Sequence, residues 1–339
     1  MTSTITRYVA LGDSFTEGLN DPDPTGTPDR FRGWADRLAE SLVTSPAGSP
    51  DLEYANLAVR GRLLERIIDE QIPRALALEP DFVTICAGGN DCIRPGTDVE
   101  FLAESFERAI TVLREEGIRV LIVNGFDTYA SSPLFRTLRP KVAVYNCHLW
   151  TIAQRHGCQM LDIWGLRELY AAECWSEDRL HLSSTGHTLV AEEALSTLER
   201  SWLFRGGVPG ESAHPDEAAT VLAEGSTGVV GGQGTSAAGS DGAGATDDPA
   251  ESVLADEVAA THRATAGPET HDPRRGFKVT PRPPRPVRDA LMEESVWFRE
   301  YFVPWVSRRL RGVSSGDAVR PKRPVPTPVV DPEAPDPES

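Results

Sequence analysis

The chain has 339 residues, 40% apolar and 25% charged, with a net charge of −17, a composition that suits a globular protein with one large core or two domains. The charge is uneven: residues 1–205 carry 20 basic against 30 acidic groups, 206–275 carry 3 against 12, and 276–339 carry 11 against 9. No basic face of the density that nucleic acid requires is present, no apolar run approaches the roughly 20 residues of a membrane span, and no apolar leader precedes the strand-like sequence from about Thr6, so the expectation is a cytoplasmic protein without stable membrane insertion.

The first apolar run, Arg7–Leu11, ends in Gly12-Asp13-Ser14. Ser14 or Asp13 could cap a following helix. By itself the stretch favours the cap, but Ser14 could instead be a nucleophile at a strand-to-helix turn, where a helix N-terminus favours developing negative charge. Trp34, Leu38 and Leu42 then follow helical spacing. A second run, Leu52–Ala58, leads to Gly61, which is either a turn glycine or a backbone N–H donor to the same site. Leu63/Leu64, Ile67/Ile68 and Ile72 form another apolar helical stripe. The third run, Phe82–Ala87, opens onto Gly88-Gly89-Asn90-Asp91. That is a plain turn, or a close backbone approach with Asn90 as a neutral amide donor suited to an oxyanion.

Helical spacing returns at Phe101/Leu102, Phe106, Ile110 and Leu113, and again from Val142 to Ile152. The fourth run, Val120–Val123, lies between them, and Phe126–Pro140 is a candidate rim. After the fifth run, Met160–Trp164, comes Asp178-Arg179-Leu180-His181. A hydroxyl nucleophile needs a base, and the base an orienting carboxylate, which His181 and Asp178 could supply. The last helix should begin near Ser183/Ser184 and reach Leu198, with His187 on it as a packing or polar-surface residue. The five cysteines, Cys86, Cys92, Cys147, Cys158 and Cys174, are odd in number and match no zinc spacing, so reduced thiols and no metal are expected.

Continuous apolar strands alternating with helices specify a mainly parallel sheet covered on both faces. Ligands then bind outside the carboxyl ends of the strands, where all four motif loops fall. Residues 206–280 are Gly/Ala/Ser-rich and acidic and are expected to be disordered. Residues 281–318 combine PRPPRP with an aromatic helix carrying Phe298, Phe302 and Trp305, kinked or restarted at Pro304 and expected to lie on the preceding domain. Residues 319–339 read as a loose Pro-rich tail.

Taken together, Gly12-Asp13-Ser14, Gly61, Gly88-x-Asn90-Asp91 and Asp178-x-x-His181 resemble the four sequence blocks of the SGNH hydrolases, the GDSL-type esterases and lipases, over about residues 6–203. The C-terminal stretch resembles an extension found in an actinobacterial branch of that family. The resemblance implies a flavodoxin-like α/β/α sandwich with a five-stranded sheet, and hydrolysis of a small-molecule ester without a cofactor. It implies Ser14 as nucleophile, His181 as base and Asp178 as its orienting acid. The Ser14 N–H, the Gly61 N–H and the Asn90 side chain would form the oxyanion hole, with Asp13, Gly88 and Asp91 in support. Phe15-Thr16-Glu17 departs from the smaller or apolar residues usual before Gly18.

Within that family a carbohydrate acetyl esterase and a lysophospholipase or thioesterase remain alternatives, although Tyr129 and Trp175, the aromatic candidates for a sugar platform, read more simply as packing residues. A reading of another class is an interaction protein that binds a partner through its acidic linker and Arg/aromatic tail.

Overall fold

The structure, a computed structural model, describes residues 4–25, 30–129, 135–204, 296, 298–304 and 315–329. These fall within one compact unit drawn from Met1–Ser212 and Met292–Ser339. The expected linker at 206–280 and the PRPPRP stretch lie outside the described residues.

The strands are β1 (Ile5–Gly12), β2 (Gly48–Asn56), β3 (Phe82–Cys86), β4 (Arg119–Val123), β5 (Gln159–Leu161) and β6 (Arg323–Pro328). The helices are α1 (Ser14–Glu17), α2 (Trp34–Leu42), α3 (Leu64–Arg66), α4 (Ile72–Ala77), α5 (Gly89–Cys92), α6 (Val99–Glu115), α7 (Arg139–Arg155) and α8 (Ser184–Phe204), with a π-helical turn, Ile67–Gln71, joining α3 to α4. The sheet order is β5-β4-β3-β1-β2-β6. β1 to β5 pair in parallel, and β6 runs antiparallel on β2.

The architecture is therefore the expected flavodoxin-like α/β/α sandwich, with six strands instead of five. The sixth comes from the segment read as a loose tail. Arg323–Pro328 reads RPVPTP, and proline is depleted in strands because it lacks an N–H to donate. Here the prolines occupy every second position of an outermost strand, which leaves one edge able to pair with β2.

Both faces of the sheet are covered because the strand residues alternate. Tyr8 and Ala10 of β1 join the core under α2 and α8, with Trp34, Leu38 and Val190. Val9 and Leu11 join the core under α3, α6 and α7, with Leu64, Phe106 and Leu149. All of these residues are buried. Their burial sets the helix spacing seen in the sequence and holds the strand ends in a fixed frame. The chain passes from β1 to β2 on one side and then crosses back over β1 to β3 on the other. The crevice between the carboxyl ends of β1 and β3 is thus the topological switch point, where ligands bind in open α/β sheets.

Candidate active site

The loops after β1 and β3 meet at this crevice. Gly12 ends β1 with φ of 154°, and a Cβ there would stand 2.5 Å from Thr16 Oγ1 and 2.6 Å from the Cys86 carbonyl. Only glycine lets the two strands exit this close. The buried side chain of Gln71, placed by the π-helical turn, satisfies both backbone groups of Gly12: Oε1 accepts from N at 2.9 Å and Nε2 donates to O at 2.8 Å.

The chain then turns into α1, and Asp13 is its N-cap, with Oδ1 accepting from Phe15 N at 3.0 Å. Ser14 is thereby left uncommitted to capping. Its Oγ lies 2.9 Å from Nε2 of His181, whose Nδ1 lies 2.6 Å from Asp178 Oδ2. Asp178 Oδ1 also accepts from Ser176 Oγ at 2.7 Å, Leu180 N at 2.9 Å and His181 N at 3.0 Å. Asn20, held at φ of 72°, donates to Asp178 Oδ2 at 2.8 Å.

Burial alone would raise the Asp178 carboxyl. The hydrogen bonds from the His181 ring and backbone and from Ser176, with the attraction of the ring, hold it well below the usual carboxylate range. An ionised Asp178 makes Nδ1 the protonated ring nitrogen and leaves Nε2 to accept from the Ser14 hydroxyl.

Gly61, Asn90 and Asp13 line the same cavity as Ser14 and His181, a space of about 370 Å³. Asn90 Nδ2 donates to Asp13 Oδ2 at 2.7 Å and to the Arg62 carbonyl at 3.1 Å. Asp91 lies in the next position and accepts from Leu64 N at 3.0 Å, at the start of α3. Gly88 precedes α5 at φ of 93°, where a Cβ would stand 2.5 Å from the Tyr145 hydroxyl. The motif loops are thus tied to one another as well as gathered at one edge.

Several contributors escaped the sequence reading. Glu17, seen there only as a departure from the block, is buried and grips the loop that carries Gly61. Its Oε2 accepts from Arg60 N at 2.7 Å and its Oε1 from Arg60 Nη2 at 2.6 Å. Gln71, Asn20 and Ser176 carried no signal either, since each acts across the fold. Of the two readings left open for His187, packing and polar surface, burial decides for packing. Its Nδ1 accepts from Trp34 N at 3.2 Å, and burial, with the nearby Arg37, Lys322 and His181, pushes its pKa down to about 3. Trp175 is buried edge-on against Phe126, whereas Tyr129 is 51% exposed.

Cys86 and Cys92 also line the cavity, but burial raises Cys86 well above the ordinary thiol value and pushes Cys92 up to about 12. Neither is a thiolate near neutral pH. Among the described residues no group of three or more His, Cys, Asp or Glu could hold a metal ion, and no helix is long and apolar enough to cross a membrane.

Residues 10–189 match the model of the GDSL-like lipase/acylhydrolase family. The uncharacterized protein YpmR of Bacillus subtilis (strain 168) is 26% identical over 223 residues, which is 57% of this chain and 82% of that protein. The acetylxylan esterase Axe2 from Geobacillus stearothermophilus, solved as a catalytic mutant, is 15% identical with a TM-score of 0.49, covering 58% of this chain and 96% of Axe2. TesA is 20% identical with a TM-score of 0.48, covering 57% of this chain and 99% of TesA.

Proposed function

The chain belongs to the GDSL-like lipase/acylhydrolase family of ester-cleaving hydrolases, and on that premise we propose that Ser14 attacks a carboxylic ester and carries its acyl group as a covalent intermediate. The observation that carries this reading is the unbroken chain from Ser14 Oγ through His181 to Asp178, at 2.9 Å and 2.6 Å. His181 Nε2 takes the Ser14 proton as Oγ bonds to the ester carbon. It returns that proton to the alkoxy oxygen as the carbon–oxygen bond breaks. Water then repeats the sequence, with His181 as base, and releases the carboxylate and free Ser14.

The negative oxygen of each tetrahedral intermediate would be held by the N–H groups of Ser14 and Gly61 and by Asn90 Nδ2. In the free protein one Asn90 hydrogen goes to Arg62 at the longer distance of 3.1 Å, and this is the one an oxyanion would share. Asp178 stays ionised and keeps the ring in its working tautomer.

The rest of the cavity bears on the substrate. Phe126, Phe135, Leu138, Val142 and Ile163 give it an apolar lining. That favours an alkyl-chain ester, lysophospholipid or thioester over an acetylated sugar, which needs polar partners. The deciding experiment is turnover of p-nitrophenyl butyrate by the wild type and by Ser14→Ala. Loss of turnover with the fold retained by circular dichroism is expected. Near-normal turnover by Ser14→Ala would rule the mechanism out.

A further inference from the structure

The cavity that holds Ser14 and His181 has a wall that the family match does not include. Glu300, Tyr301 and Pro304 line it, although the match ends at residue 189. Tyr301 lies in the π-helical turn Phe298–Phe302. Its hydroxyl donates to Glu177 Oε2 at 3.1 Å, one residue before Asp178. Tyr301 and Pro304 are both half-buried, while Glu300 and Val303 beside them are exposed, which places this short segment at the cavity mouth and not in the core.

The chemistry of the two half-buried residues suits a boundary. A tyrosine ring offers a large flat surface with few torsions to order, and its hydroxyl is already occupied by Glu177. Proline has no N–H that an alkyl chain would have to desolvate. A wall of this kind limits how much chain the cavity can shield from water without repelling it.

Resting on the reading of Ser14 as an esterase nucleophile, we propose that Phe298–Pro304 sets the chain-length specificity of this enzyme, with Tyr301, anchored on Glu177, as the limiting residue. Apart from Ser315, the rest of the lining comes from the first 181 residues, and this segment is the main wall added from beyond the family match. Widening it should admit longer chains, and thickening it should exclude them.

The test compares full-length wild type, Tyr301→Ala and Tyr301→Trp in kcat/KM on acetyl, butyryl, octanoyl and dodecanoyl p-nitrophenyl esters. In parallel, calorimetry on the Ser14→Ala background measures binding of the corresponding carboxylates. Each further methylene shielded from water is worth about fourfold. If Tyr301→Ala makes room for about two further methylenes, the octanoyl-to-butyryl ratio should rise about 15-fold, Tyr301→Trp should lower it, and carboxylate affinities should move in the same directions. Tyr301→Phe, which deletes only the bond to Glu177, should move the ratio as alanine does but less, and it serves if alanine disturbs folding.

Ratios that stay within about twofold of wild type in all folded variants overturn the wall, since one methylene alone exceeds that. Carboxylate affinities that ignore residue 301 overturn it as well. If wild type hydrolyses no ester while residue 301 still sets carboxylate length preference, the esterase reading falls and the wall stands.

Discussion

One carboxylate of Asp13 accepts Asn90 Nδ2 at 2.7 Å through Oδ2 and Phe15 N at 3.0 Å through Oδ1, so a single buried side chain joins the loops that follow β1 and β3. The cap that frees Ser14 is also the anchor that aims the Asn90 amide. Asp13→Asn should still cap α1 through its oxygen but would turn an NH2 group toward the Asn90 NH2. If Asn90 holds the oxyanion as proposed, kcat for a short-chain ester should fall tenfold or more with little change in KM, because that role is exercised only in the transition state. Steady-state kinetics on butyryl esters checks this, and an unchanged kcat would remove Asp13 from the positioning of Asn90.

Glu17 and Arg60 form a second tie, and they are shielded enough for the pair to matter, with side-chain exposures of 4% and 16%. Glu17→Gln leaves the Arg60 guanidinium half-buried without its counter-charge, at a cost of about 3 kcal/mol. It also loosens the backbone N–H bond that fixes the approach to Gly61. Urea unfolding should show the stability loss, and kcat should drop along with it. A double-mutant cycle with Arg60→Met should return a large part of the loss as coupling.

His187 should make stability depend on pH. Burial holds its folded pKa at about 3, below the ordinary histidine value of about 6.5. The unfolded chain therefore takes up a proton below about pH 6.5 that the fold refuses, and stability falls as pH drops through that window. Between about pH 7.5 and about pH 5 this one group should cost about 2 kcal/mol, at about 1.4 kcal/mol per unit of pH. His187→Gln, which can still accept from Trp34 N, should remove that increment. Urea titrations at the two pH values test it, and equal slopes for wild type and variant would refute the assignment.

Lys322, just ahead of β6, is 10% exposed and uses all three ammonium hydrogens. It donates to the Glu17 carbonyl at 2.6 Å, the Phe31 carbonyl at 2.9 Å and Asp36 Oδ2 at 2.5 Å. Lys322→Met should leave Asp36 without its cation and destabilise the unit by about 3 kcal/mol. For a unit of this size the melting temperature should fall by roughly 6–12 °C by differential scanning calorimetry. A shift near zero would mean that the Lys322 bonds add nothing to the stability of the unit.

The core fold was legible because its information is local and periodic. Alternation in Tyr8–Leu11 and helical spacing in Trp34, Leu38 and Leu42 follow from which faces must be buried, and each can be read within a few residues. The motif residues were legible for a related reason: a strand that ends in a sharp turn requires Gly12 and Gly88 where a Cβ would collide with backbone or ring atoms. Strand ends shifted by a few residues, as in β2 at Gly48–Asn56 against the expected Leu52–Ala58, because hydrogen-bond pairing decides where a strand stops and hydropathy does not.

By itself, then, the sequence determined the parallel α/β sandwich, the order of its elements and the small set of residues offered at one sheet edge. Tertiary structure alone decided how those residues are held: Asp13 on Asn90, Glu17 on Arg60, Gln71 on Gly12, and the pairing of a proline-rich strand with β2. Each of these joins groups far apart in the chain, and none has a spacing or composition that marks it. The physical reason is that a hydrogen bond is specified by the position of both partners, and for distant partners that position exists only after both faces of the sheet have been buried.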